Sequence, residues 1–270
     1  MPKRRPLPPL SLLCLLSFSS LSLASLTTTR TAHACGAAYP GGPVMCDFPR
    51  KAAQAPAIVR LSASYAFTST TLLFGDGRRA DLTRHAVFGG VQLPISDTLS
   101  AQFGAGGIAG GELVHGAARD TIGPGFAAYG GIAWRAYDGA EALPFVQLTA
   151  TLSATHALTR TDERGTRTDG STSPNAQPET PHFNAFDLRV GAIAGKTFAN
   201  AFTPYVTARV FGGPITWRFD GADVIGTDLY KYQLGGGLSL ALFDRHLDLF
   251  AEGIALGERG FAAGIGTTFF

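Results

Sequence analysis

The chain has 270 residues, of which 34 are Gly, 16 are Pro and only 16% are charged. Each interior Gly costs a helix about 0.5–1 kcal/mol relative to Ala, so the composition argues against a helical protein. A hydrophobic content of 45% excludes a disordered chain, and a formal charge of +2 gives no electrostatic reason to expect a nucleic-acid partner. Mean hydropathy is +0.13, yet beyond residue 30 no apolar run approaches the roughly 20 residues of a transmembrane helix.

The N-terminal segment has the pattern of an export signal. Lys3–Arg5 precede an apolar, Leu/Ser-rich stretch at 10–26, and Ala32-His33-Ala34 offers a small-x-small cleavage site. Residues 1–34 are therefore predicted to be a signal peptide, although a cut after Ala24 also fits. An uncleaved anchor helix is disfavoured because serines interrupt the apolar stretch.

Two cysteines, Cys35 and Cys46, follow the predicted cleavage site in the Gly/Pro-rich segment 35–55. Exported proteins retain disulfides, so the spacing favours a small Cys35–Cys46 disulfide loop. The alternative is a lipoprotein acylated at Cys35. Lipoprotein signals usually place Leu three positions before the cysteine, where this chain has Ala32. The sequence contains no CxxC pair for a metal or redox site.

From residue 56 to residue 270 the chain repeatedly alternates apolar with polar or small side chains. In the clearest segment Val146, Leu148 and Leu152 share one face, whereas Gln147 and Thr149 share the other. A period of two is typical of β-strands and excludes helices. The alternation predicts about ten strands, with eight or twelve also possible. The segments are 59–68, 84–94, 98–108, 126–136, 145–155, 186–195, 204–211, 230–240, 246–255 and 261–270.

The charged residues of these strands all fall on the polar face. A soluble sandwich or lipocalin-like barrel would turn the apolar face inward and would need bulky residues there, but this face is rich in Ala and Gly. Apolar residues facing lipid and polar residues facing a lumen explain both facts, and such a sheet must close because hydrocarbon tolerates no unpaired backbone. The predicted fold is all-β, an up-and-down antiparallel transmembrane β-barrel. Its candidate lumen-lining residues are Arg60, Arg84, Arg135, Asp187, Arg189, Arg209, Lys231, Asp248 and Glu252.

The connections between the strands alternate in length. Short periplasmic turns with longer extracellular loops are typical of outer-membrane barrels. An even strand count puts both termini, and with them segment 35–55, in the periplasm. The predicted short turns are 94–97, 137–141, 197–200 and 243–246, and the predicted longer loops are 69–82, 109–124, 157–182 and 213–228, with a brief last connection at 257–259.

The signal, the amphipathic strands, the alternating connections and the terminal Phe270 together resemble the small outer-membrane β-barrel proteins of Gram-negative bacteria. Leu143–Val146 and Thr203–Val206, which open strands after tight turns, are typical of that class. One departure is that the apolar residues of the last strand are in phase with Phe269 and not with Phe270. The resemblance implies an outer-membrane location, with membrane lipids, lipopolysaccharide and the assembly machinery as partners.

Motifs for catalysis, metals and cofactors are weak. Gly191–Thr197 resembles a P-loop with one residue too few, and Gly104–Ala109 resembles a dinucleotide fingerprint, but neither is followed by a helix. Ser153 and His156 are three apart on a strand and would face opposite sides. The histidines at 85, 115, 156, 182 and 246 lack metal-ligand spacing. The chain is therefore expected to be no enzyme and to bind no cofactor or metal.

The predicted lumen suggests two main functions. Six basic residues exceed three acidic ones, and a barrel of about ten strands is narrow enough for side chains to fill. We expect a structural or surface-interaction role through the long loops. The alternative is a narrow pore for small, mostly anionic solutes, with lumen glycines leaving the space. A hydrolase built in a loop around His182 or Asp162 is a third possibility.

Overall fold

The computed structural model describes nine stretches of the chain. These stretches belong to one compact unit, residues 31–270. The predicted signal peptide, 1–34, and the terminal Phe270 lie outside them. Among the described residues, no helix is long and apolar enough to cross a membrane. The stretches are 35–37, 44–46, 59–116, 118–137, 143–161, 181–199, 201–219, 222–243 and 246–269.

The described residues form fourteen strands. They are β1 (Cys35–Ala37), β2 (Val44–Cys46), β3 (Val59–Phe74), β4 (Arg79–Pro94), β5 (Leu99–His115), β6 (Ala118–Tyr137), β7 (Phe145–Thr161), β8 (His182–Gly195), β9 (Phe202–Gly212), β10 (Ile215–Phe219), β11 (Ala222–Asp228), β12 (Tyr232–Leu242), β13 (Leu247–Gly257) and β14 (Arg259–Phe269).

Ten of these strands close into a barrel. Antiparallel pairing runs from β3 through β9 in chain order, continues through β12, β13 and β14, and returns to β3. Phe269 of β14 lies opposite Val59 of β3, so both ends of the ring meet at the same rim. The prediction of an antiparallel barrel of about ten strands is confirmed.

The outer face of the barrel is apolar. Leu61, Phe103, Leu152 and Val206 point outward and are between 42% and 64% exposed, whereas their polar neighbours along the strands are buried inside. A closed ring leaves no unpaired strand edge, and an apolar exterior needs lipid rather than water around it. These two features place the chain in the outer membrane of a Gram-negative bacterium.

Strands β3 to β7 extend beyond the membrane. They have 16 to 20 residues, although about 9–11 are enough for a tilted transmembrane strand. Two of the predicted long loops, 69–82 and 109–124, are therefore wrong: both are mostly strand, connected at 75–78 and 116–117. The reason is that in these segments the polar and apolar faces of the strands exchange sides. Outward positions become polar, as at Thr71, and inward positions become apolar.

The predicted loop 213–228 is also wrong, because it forms the β10–β11 hairpin. Strands β9 and β12 to β14 have only 11 residues each, and above them β10 pairs with β8 while β11 pairs with β3. The ring therefore narrows from ten strands to eight. We call this eight-stranded part the crown; it consists of 70–74, 79–83, 111–115, 118–122, 157–161, 182–185, β10 and β11.

The crown has its own apolar core. The Phe74 and Trp217 rings lie 5.8 Å apart, and the Trp217 indole donates a hydrogen bond to Thr159 Oγ1. Burial of this core stabilises the crown in the way that an ordinary soluble β-barrel is stabilised. The barrel thus places apolar side chains on its outer face within the membrane, and on its inner face in the crown above the membrane. The core residues, each 4% exposed or less, include Leu72, Phe74, Leu82, Leu113, Ile122, Phe183, Ile215 and Trp217.

Candidate functional site: the barrel interior

Eight of the nine predicted lumen residues lie inside the barrel. The exception is Lys231, which is exposed. The alternation would have turned Lys231 inward, but β12 begins only at Tyr232, so Lys231 belongs to the loop before it. The eight internal residues are Arg60, Arg84, Arg135, Asp187, Arg189, Arg209, Asp248 and Glu252.

The lowest layer of the interior lies near the rim at which β3 begins and β14 ends. The Arg60 guanidinium is 3.1 Å from a carboxylate oxygen of Asp248, and both side chains are buried. Arg135 lies over the Phe145 ring, 5.3 Å from its centroid. Ion pairing and cation–π contact allow these charges to be buried without an ion from solvent.

The middle layer is an ion pair between neighbouring parts of the wall. Arg209 of β9 donates two hydrogen bonds to Glu252 of β13, at 2.7 and 3.1 Å. The two side chains are 0% and 1% exposed. A bidentate arginine–carboxylate contact of this kind is among the strongest that a buried arginine can make.

The upper layer lies directly beneath the crown and centres on Glu258. Its carboxylate is 2.7 Å from Arg189 and 3.7 Å from Arg84, and it also accepts a hydrogen bond from Gln233. Arg189 additionally contacts Asp187. This network joins the turn between β13 and β14 to β4, β8 and β12.

Besides Asp120 inside the crown, two carboxylates close to Arg84 and Arg189 were missed by sequence reasoning. Glu258 lies in a brief turn after Gly257, whose φ of +80° suits glycine, and Asp228 lies in the segment predicted as a loop. Thr70 donates a 3.0 Å hydrogen bond to Asp228, which lies at the lower edge of the crown, beneath the apolar core of the crown and beside Arg84 and Asp187. Burial raises the pKa of the Asp228 carboxyl to about 6, and the nearby Glu258 carboxylate contributes to the rise.

These additions balance the charge of the interior. Below the crown core and among the described residues, five arginines face five carboxylates, so the predicted excess of positive charge is wrong. The arginines are Arg60, Arg84, Arg135, Arg189 and Arg209, and the carboxylates are Asp187, Asp228, Asp248, Glu252 and Glu258.

The inward-facing glycines do not leave an open channel. A Cβ atom on Gly104 would meet the Tyr129 side chain, and one on Gly237 would meet Tyr205. Seven of these glycines accept a bulky side chain from a neighbouring strand, whereas a Cβ on Gly235 would meet the backbone of Gly253 and Ile254. The matched pairs are Gly104 with Tyr129, Gly106 with Phe88, Gly191 with Arg209, Gly195 with Phe145, Gly237 with Tyr205, Gly264 with Phe250 and Gly266 with Arg60.

A cavity of about 20 Å³ lies beneath the crown, between Arg84, Ser153, Asp187 and Asp228. This volume holds about one water molecule. A single water next to these polar groups can satisfy their remaining hydrogen-bonding capacity, but it does not form a pathway.

The histidines do not gather at one site. His115 lies inside the crown, 3.2 Å from the buried Asp120 carboxylate, and its ring packs against Trp217. His156 faces outward, whereas Ser153 faces inward, so these two side chains do not meet. In the described part of the chain, no group of three or more His, Cys, Asp or Glu side chains could hold a metal ion.

The N-terminal strands β1 and β2 form a small antiparallel pair. Cys35 lies directly opposite Cys46, and β1 lies near β9, β12 and β13. Opposed positions of an antiparallel pair have Cα atoms about 4.5–5.5 Å apart, within the range for disulfides. The register is compatible with the predicted disulfide, which stays a prediction.

The chain matches no established protein family and no curated protein sequence. It is similar in structure to the translocator domain of the autotransporter NalP from Neisseria meningitidis, with a TM-score of 0.45, 11% identity and coverage of 80% of this chain and 90% of that one. For the transport unit of the autotransporter AIDA-I from Escherichia coli, the TM-score is 0.45 and the sequence identity 12%, and the match covers 82% of this chain and 93% of that one. For the attachment invasion locus protein Ail of Yersinia pestis, the TM-score is 0.38 and the identity 11%, and the match covers 78% of this chain and 99% of that one.

Proposed function

We propose that the protein is a sealed, non-enzymatic outer-membrane barrel that acts through the crown and its connections outside the cell. The observation that supports this best is the apolar core of the crown, where the Trp217 ring of β10 packs against Phe74 of β3 and, on the opposite side of the crown, against His115 of β5, above the Glu258 network. An ion entering from outside would have to cross this apolar layer before reaching any charged group. Dehydrating an ion in such surroundings is very costly.

The alternative of a narrow anion pore lacks the two features that suggested it. Carboxylates balance the arginines inside, and neighbouring side chains occupy the glycine positions. Strands β3 to β8 extend past the apolar belt, which is the lipid-facing part of the outer wall. They instead provide a folded surface outside the membrane. Interaction through that surface is the role that this architecture suits.

Planar-bilayer recording of the refolded barrel tests the sealed state. We expect no stable conductance steps at neutral pH. A variant with Arg209→Ser and Glu252→Ser has a thinner middle layer but keeps the apolar core, so it is expected to stay closed as well. Reproducible anion-selective steps from the wild-type protein would overturn the proposal and favour the pore.

Epitope insertion on intact cells tests which end acts outside. An epitope at 116–117, the connection of the crown strands β5 and β6, is expected to be accessible to antibody without permeabilisation. The matched control is an epitope at 95–97, in the turn at the opposite rim, which is expected to be reached only after the outer membrane is opened. The reverse pattern would refute the proposed orientation.

A further inference from the structure

A cluster of aromatic and basic side chains lies on the outer wall of the barrel, at the boundary between the apolar belt and the crown. Phe126 of β6, His156 of β7 and His182 of β8 form a row, with ring centroids 5.5 and 5.4 Å apart. Phe126 and the nearby Phe186 are 60% and 56% exposed. The row therefore joins a lipid-facing aromatic surface to imidazole groups just above it.

Hydrogen bonds fix the orientation of the central histidine. Asn184 donates from its amide nitrogen to Thr216 Oγ1, at 3.4 Å, so its amide oxygen faces His156. That oxygen lies 2.7 Å from His156 Nδ1. Because an amide oxygen only accepts, Nδ1 holds the proton and Nε2 is the nitrogen presented to a ligand. Nε2 can accept a hydrogen bond from a hydroxyl group or, when protonated, donate one to an anion.

Two arginines flank the histidine pair. Arg160 is two residues beyond Leu158, which pairs with His182, and Arg218 is one residue beyond the Trp217–Phe183 pair on the adjoining strand. Both arginines are exposed. Among the described residues, the carboxylate that faces this cluster is Asp223, opposite Arg218 on β11. In this described part of the wall, arginines and imidazoles thus outnumber carboxylates.

We propose that this patch, His156, Arg160, His182 and Arg218, binds the phosphorylated headgroup of an outer-leaflet lipid. His156 lies directly opposite Phe126 in the register of β6 and β7, and Arg160, His182 and Arg218 lie further toward the crown than Phe126 and Phe186, where a lipid anchored by acyl chains presents its phosphates. Arginine is well suited to phosphate because its guanidinium donates two parallel hydrogen bonds. The site lies on the outer wall and does not depend on whether the lumen conducts.

The test uses the full barrel, refolded in a zwitterionic detergent, with native mass spectrometry as the readout. The probe is bisphosphorylated lipid A, compared with the same lipid after removal of its phosphates and with inorganic phosphate. We expect the bisphosphorylated lipid to be retained and the dephosphorylated lipid to be lost. Equal retention of both lipids would overturn the proposal. So would displacement of lipid A by millimolar inorganic phosphate, which would indicate a site for phosphate alone.

A matched pair of variants locates the site. The patch variant replaces His156, Arg160 and Arg218 by Gln, and the control variant makes the same changes at His85, Arg79 and Arg259 on the β3, β4 and β14 side. We expect at least a tenfold loss of lipid A affinity in the patch variant alone, because charge-assisted contacts are lost. An equal loss in both variants would show general attraction and contradict a site. A shift of gel mobility on boiling verifies that each variant is folded.

Discussion

Removal of one partner from the buried Arg209–Glu252 pair should destabilise the barrel strongly. Glu252→Ala leaves the Arg209 guanidinium, 0% exposed, without its two hydrogen-bond acceptors. Breaking a buried pair in this way typically costs about 3–5 kcal/mol. The double variant Arg209→Met/Glu252→Leu should recover most of this loss, because it removes both charges and Met keeps an aliphatic stem over Gly191.

Urea unfolding of the refolded barrel in lipid vesicles measures these differences, with tryptophan fluorescence as the signal. The control is Glu112→Ala, which breaks the exposed Arg119–Glu112 pair and should cost less than about 1 kcal/mol. The reasoning would be refuted if Glu252→Ala cost no more than this control. It would also fail if the double variant were as unstable as the single one, since the cost would then come from lost packing and not from an unpaired charge.

The other predictions concern glycine packing, pH and the cysteines. Gly264→Ala should reduce folding yield because its Cβ would meet Ala63 backbone and the Phe250 ring, whereas Gly253→Ala, with open space around it, should refold like wild type. Asp228→Asn should stabilise the crown by about 2–3 kcal/mol at pH 8, because burial holds the carboxyl pKa above its unfolded value, and the gain should vanish below about pH 4; urea unfolding at both pH values measures it. Thiol titration of the exported protein should find Cys35 and Cys46 unreactive until a reductant is added, and reactivity without reductant would contradict the disulfide.

The membrane-spanning part could be predicted because lipid imposes a simple pattern on it. A strand with lipid outside and polar groups inside must alternate, and Leu148, Leu152, Gln147 and Thr149 do so clearly. Their exposure and burial in the structure follow the predicted faces. Closure then follows from the need to pair every backbone group in hydrocarbon.

The crown could not be predicted in the same way, because its outer face meets water. Segment 69–82 places polar residues outward and Leu72, Phe74 and Leu82 inward, the opposite of the membrane pattern. With a Gly-Asp-Gly turn between its strands, such a segment reads as a polar loop. The alternation itself continues, and a search for a change of phase, instead of an end of alternation, would have found these strands.

Strand ends explain the remaining errors inside the barrel. Lys231 has the parity of a lumen residue but precedes the start of β12, and Glu258 lies in a turn yet reaches the interior. An odd or even position in the sequence predicts whether a side chain points inward or outward only within a paired strand. Side chains at a strand end point where the local turn directs them, and the sequence pattern does not contain that information.

Adjacent cysteines on β9 test the central claim, that the wall faces lipid outside and encloses a sealed interior. Val206→Cys points outward from a site that is 64% exposed, and Thr207→Cys points inward from one that is 3% exposed. Both variants are made in a protein that lacks Cys35 and Cys46. For the quenching experiment the cysteine carries a fluorescent label attached before refolding, and for the reactivity experiment it is left as a free thiol. The label at 206 should be quenched by brominated lipid, and the thiol at 207 should resist a small water-soluble reagent. Rapid reaction at 207 would reveal an open lumen, and absence of quenching at 206 would contradict the membrane barrel itself.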